Sequence, residues 1–152
     1  MRMNYFSASP EGLKAMLGLQ QHVASSAKQE ALGDGLMELV YTRVSQLNGC
    51  AYCIDMHTKD ARKAGETEQR LYALSAWRET PFYTERERAA LAWAEANTLI
   101  AGNGIDEALY EATREHFSAK SLTDLTLAVC TINAWNRLAI SFAAEAGSYQ
   151  PT

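Results

Sequence analysis

No stretch of this 152-residue chain alternates apolar and polar residues with the period of two that a half-buried strand needs, so nothing in it asks for a β-sheet. Prolines are scarce. The three stand at an apparent helix start, in a loop and in the tail, so none breaks a helix. No Lys/Arg-rich run exists and the net charge is −4, which argues against nucleic acid as a partner. No apolar run approaches the roughly 20 residues of a membrane span. The opening MRMNYFSASPEGLKAM lacks the apolar centre of a secretory signal. The expectation is a cytoplasmic protein with no membrane partner. That compartment is reducing, so the three cysteines are not expected to serve as permanent staples. Hydrophobic residues make up 47% and charged residues 21%, ordinary proportions for a globular chain long enough to bury a core.

What is present is helical punctuation. Ser9-Pro10 reads as a cap followed by the first helical position, opening a helix through about Lys28. GDGLMELVYTRVSQL forms a second, with Leu36, Val40, Val44 and Leu47 on one stripe. Asn48-Gly49 interrupts it. A third helix runs from about Cys50 to Ala64, and Gly65 is positioned to stop it. Thr67 caps a short fourth helix reaching Trp77. Thr84 and Glu87 fit a capping box before a helix through about Ile100. AGNG reads as a break and IDEALYEATREHF as the next helix. Ser121 with Asp124 resembles another boxed start, for a last helix that is apolar on most sides and ends at Gly147. The expected architecture is all-α, a single-domain bundle of six or seven helices over residues 1–152, with its core at about 20–146.

The informative segment is NGCAYCIDMH, residues 48–57. With Cys50 in the first helical turn, Cys53 is three positions on and His57 seven. At 100° per residue all three fall within an arc of about 60°. Cys53 and His57 are direct i, i+4 neighbours. The unpaired N–H groups of a helix start stabilise a thiolate, and a neutral imidazole can accept a thiol proton. Single cysteines are commonly buried small hydrophobes. A Cys-x-x-Cys pair with a histidine four residues later is less easily packing alone. Zinc could draw three ligands from Cys50, Cys53 and His57 and a fourth from Cys130, His22 or His116, but no second ligand pair stands in the sequence, so no metal is expected. Ile54 follows Cys53, which excludes the haem-attachment motif. The helical lead into Cys50 disfavours a thioredoxin-like strand-to-helix junction.

The chain resembles the alkyl hydroperoxidase D-like (AhpD-like) family of the carboxymuconolactone decarboxylase superfamily. Redox-active members carry Glu, eleven residues, Cys-x-x-Cys, three residues and His. This sequence matches at Glu38, Cys50, Cys53 and His57. The flanks LVYTRVSQLNGCAYCIDMHTKDARKAGE and INAWNRLAI are also similar, and the likeness covers roughly residues 20 to 146. It implies an all-α fold assembled as homotrimers or homohexamers, and a peroxidase that binds no cofactor and is recharged by an external dithiol, usually on a lipoyl protein. On this chain it implies Cys53 as the peroxidatic cysteine, Cys50 as the resolving one, and Glu38 with His57 as a proton relay. The best-known members carry a histidine just before the second cysteine, where this chain has Tyr52.

Taken without the resemblance, Glu38 lies about 160° from Leu36 on the Thr42 and Ser45 side of its helix, and reads as a solvated residue. Cys130, in LAVCTI, reads as core. His22 and His116 read as surface. Tyr52 either lines the site or packs. Trp77, Trp93 and Trp135 read as core or subunit interface, and Arg137 as a buried cation in want of a partner. Three functions stay open: a thiol peroxidase, a non-redox decarboxylase of the same superfamily, and a zinc-stabilised interaction module.

Overall fold

The computed structural model describes residues 1–29 and 32–151, and helices account for every regular element among them. In chain order these are α1 (Tyr5–Ala8), α2 (Pro10–Gln29), α3 (Asp34–Asn48), α4 (Ala51–Lys63), α5 (Glu68–Ala73), a 3₁₀ helix (Leu74–Glu79), α6 (Glu85–Thr98), α7 (Ile100–Asn103), α8 (Glu107–Arg114) and α9 (Ala119–Ser141). The all-α expectation holds. The count exceeds six or seven because two one-turn helices, α1 and α7, carry too little periodicity to read.

The α3 helix is the hub, packing against α4, α6 and α9, while α2 lies along α9. Its stripe supplies fully buried Val40 and Val44 to the main core, which Val23, Leu125, Val129 and Trp93 complete. Leu39 points the other way, into a second cluster with Leu71, Leu74, Trp77 and Leu91. Each such aliphatic side chain contributes roughly 1.5–3 kcal/mol by leaving water. No helix among the described residues is long and apolar enough to cross a membrane.

Several start and stop signals act as expected. Thr84 and Glu87 form a reciprocal capping box, and Thr67 caps α5 through the Arg70 N–H. Others moved. The AGNG break is one more helical turn, released at Gly104. The last helix starts from Ser118, whose side chain accepts from Ser121 N. Asp124 is therefore no cap. It is buried and accepts from Ser26 and Lys120, with His22 Nε2 at 3.4 Å. This helix also ends at Ser141 rather than Gly147. Ala143 takes φ 53°, and its N–H and that of Ala144 close the helix end on Ile140 and Ala139. The tail then folds back on α4. Asp55 accepts from Gly147 N, Lys59 donates to the Tyr149 carbonyl, and the Tyr149 hydroxyl donates to Asp60. These tertiary bonds outweigh the helix propensity of Ala143–Ala146.

Two burial assignments reverse. Cys130 is exposed. Arg137 is also exposed and donates to Asn133, while its neighbour Asn136 is the fully buried one and bonds Ser45 and Asn48. On a helix apolar on most sides, periodicity does not say which face its neighbours cover.

Glu95 ties α6 to α3 and the 3₁₀ helix. It accepts from Arg43 Nε at 2.6 Å, Trp77 Nε1 at 2.9 Å and Arg78, with its side chain only 12% exposed. Burial pushes its carboxyl up, but the bonds from Trp77, Arg78 and Arg43 outweigh burial and hold it below the usual carboxylate range. A group depressed on folding stabilises the protein above its unfolded pKa, and that stability is lost as pH falls through the folded value. Glu95→Ala should therefore cost roughly 3 kcal/mol in urea unfolding at pH 7, by stranding Arg43 and Trp77. The difference from wild type should shrink as pH falls below about 4. An unchanged midpoint at pH 7 would count against the hub.

Candidate active site

The turn between α3 and α4 builds the site. Gly49 takes the left-handed conformation (φ 70°, ψ 31°) and its N–H closes α3 on Ser45 and Gln46. A side chain there would be strained. The reversal leaves Cys50 extended, as the N-cap of α4 rather than in its first turn, and its Sγ accepts from Cys53 N at 3.3 Å. The sulfur thus faces the positive end of α4. Cys50 and Cys53 are joined by a disulfide, with Cα atoms 5.3 Å apart, and both are almost fully buried.

His57, one turn beyond Cys53, is 6% exposed. Its Nδ1 lies 2.9 Å from Glu38 Oε2 on α3. Glu38 is thus not a solvated residue, since its side chain is 19% exposed and turned toward α4. A carboxylate on Nδ1 keeps the proton there, leaving Nε2 with a free lone pair. Nε2 is buried and has no protein partner. The His57 residue lines a cavity of about 190 Å³ that Cys53 also lines and Cys50 does not. Tyr52 lines it as well and also packs against the cluster of Cys50, Cys53 and Ala139.

Three residues that the sequence left unmarked join this group. The Tyr41 ring lies 5.0 Å from that of His57 and lines the cavity. Burial, then the charge of Glu38, pushes its hydroxyl well above the usual tyrosine range, so it remains a donor. It stands three residues after Glu38, so the helical period could have flagged it. An Asp60 carboxylate oxygen lies within 4.8 Å of the ligating atoms of both Glu38 and His57. The Tyr149 hydroxyl caps Asp60 at 2.7 Å and is itself pushed up to about 12 by burial and by that bond. No sequence pattern connects Tyr149 to α4. The cysteine-based metal set does not assemble among the described residues. Cys50 and Cys53 bond each other, His22 sits against Asp124, and Cys130 and His116 are exposed.

The site is thus a buried Cys-x-x-Cys disulfide beside a Glu–His pair in a helical bundle. The model of the carboxymuconolactone decarboxylase family matches residues 10–96. YdfG of Bacillus subtilis, an uncharacterised protein, is 45% identical over 147 residues, covering 97% of each chain. Among solved structures, ATU0492 from Agrobacterium tumefaciens has a TM-score of 0.90 at 42% identity, covering 97% of this chain and 99% of its own. It is a protein of unknown function whose suggested assignment is the antioxidant defence protein AhpD. The debrominase Bmp8 shares the fold at TM-score 0.82 and 20% identity, over 94% of this chain and 75% of its own. The chain belongs to the carboxymuconolactone decarboxylase family, as an AhpD-like member. Its superfamily is one of enzymes.

Proposed function

We propose that this protein is a thiol-dependent hydroperoxidase with Cys53 as nucleophile and Cys50 as resolving thiol. The observation that carries the reading is that Cys53 and His57 line one cavity, with His57 Nε2 unpartnered and Glu38 holding the opposite ring nitrogen. In the reduced protein, Nε2 takes the Cys53 proton. The thiolate attacks one peroxide oxygen: an S–O bond forms, the O–O bond breaks, and the sulfur gives up two electrons. The departing alkoxide takes the proton back from His57 and leaves as an alcohol. Cys50 then condenses with the sulfenic acid, forming the disulfide and releasing water. An external dithiol, of the kind carried by a lipoyl protein, reduces the pair. No bound cofactor or metal is needed for these steps. We place the reaction in the cytoplasm and the active form in a homotrimer or homohexamer.

Intact mass is the direct test. Reduced, metal-free protein treated with one equivalent of an organic hydroperoxide should lose two hydrogens, mapped to Cys50–Cys53 and restored by a dithiol. Exposed Cys130 should stay free and serve as the internal control. An unchanged mass with both thiols free would overturn the reading.

A further inference from the structure

The chain has three indole N–H groups, and an indole nitrogen can only donate. Trp77 Nε1 donates to Glu95 at 2.9 Å, and Trp93 Nε1 to Thr126 Oγ1 at 2.9 Å. Trp135 Nε1 is buried and has no protein acceptor. Its residue lines the cavity that holds Cys53 and His57. Among the described residues, His57 Nε2 is the only other buried polar side-chain atom on that lining without a partner. In the mechanism above it is committed to the thiol proton. The indole N–H has no such task. A buried donor without an acceptor is unfavourable, so a ligand oxygen that meets it gains a bond without displacing one.

The cavity also limits what can bring that oxygen. Tyr5, Phe6, Tyr41 and Tyr52 join Trp135 around it, so five rings form its walls. Phe6 on α1 stacks on Trp135, with ring centroids 6.2 Å apart, and so sets the indole in place. An apolar cavity of roughly 150 Å³ accepts benzene; this one measures about 190 Å³. It has room for one substituted ring. Hydrogen peroxide would leave the aromatic walls unfilled.

We propose that the cavity takes a compact, single-ring aromatic hydroperoxide, and that Trp135 is a catalytic residue whose indole N–H donates to the oxygen that leaves. The proposal rests on the hydroperoxidase reading. Cys53 attacks the terminal oxygen, and the carbon-bound oxygen departs with the electron pair of the O–O bond. Its charge grows as that bond breaks, so the Trp135 bond strengthens toward the transition state, which is what accelerates a step.

Two measurements decide it. In the first, cumyl alcohol, the ring-bearing product of cumene hydroperoxide, is titrated into ¹⁵N-labelled oxidised wild-type protein. The Trp135 indole cross-peak should move downfield and saturate, while those of Trp77 and Trp93 stay in place. Contacts to the Phe6 ring assign the peak. A stationary Trp135 peak, or three peaks moving alike, overturns the proposal. In the second, kcat/KM for cumene hydroperoxide is compared with that for hydrogen peroxide. Wild type should prefer the aromatic substrate, and Trp135→Phe should lower kcat/KM for cumene hydroperoxide about tenfold. Equal wild-type rates, or an undiminished variant, also overturn it. Wild type that consumes no hydroperoxide but shows the Trp135 shift would sink the hydroperoxidase reading and leave an aromatic-ligand site.

Discussion

Cys53→Ser should lower hydroperoxide consumption by on the order of 10³-fold or more. A serine hydroxyl is a far weaker nucleophile than a thiolate and cannot pass through a sulfenic acid. The side chain is 2% exposed and packs near Ala139 and Tyr52, so an oxygen of similar size should leave the helical circular dichroism unchanged. Cys50→Ser should behave differently. Cys50 does not line the cavity, so the first turnover should survive. Consumption should then stop at one equivalent, with Cys53 held as a sulfenic acid that dimedone traps. An active Cys53→Ser protein would remove Cys53 from the nucleophile's role. A Cys50→Ser protein that fails on the first turnover would reverse the two assignments.

The second large effect falls on the relay. His57→Ala should slow the peroxide step by roughly 10²–10³-fold, the usual worth of a positioned general base. Glu38→Gln should cost roughly 10²-fold, because an amide can present its oxygen or its NH₂ to Nδ1 and no longer specifies one tautomer. Glu38 acts through His57 and is a positioning residue, so a drop in rate at one pH does not prove its role. The pH profile does. As pH rises past about 8.5, where a free thiol ionises unaided, both deficits should shrink. A deficit constant between pH 7 and pH 10 would mean that the substitutions damage the cavity and not proton transfer. The geometry behind this prediction is the 2.9 Å contact between α3 and α4, which neither helix makes alone.

The local chemistry of the helices was legible because it is short-range. A cap acts within one turn, so Thr84 with Glu87 and Thr67 could be read from spacing alone. Gly49 could be read because few other residues tolerate its conformation. The common face of Cys53 and His57 follows from 3.6 residues per turn. The Cys-x-x-Cys disulfide is equally local, since its two residues stand one turn apart.

The errors mark where local rules stop. Glu38 is 19 residues from His57, and by periodicity alone it faced water; α4 occupies that side instead. Cys130 and Arg137 were expected to be buried and are both exposed, because the neighbours of α9 decide which of its faces is covered. The Ala-rich end of α9 was extended too far because propensity cannot anticipate a tail held by Asp55, Lys59 and Asp60 of another helix. Trp135 could be expected in a core or interface, but its unpaired indole nitrogen and its place on the lining that Cys53 shares emerge only when α1, α4 and α9 meet. Residue order was thus enough to specify most of the helices, several of their ends and the common face of Cys53 and His57, all features that span one turn or two. The Glu38 contact, the cavity and the orientation of Trp135 depend on side chains far apart in the chain, and only the packing of one helix against another brings them together.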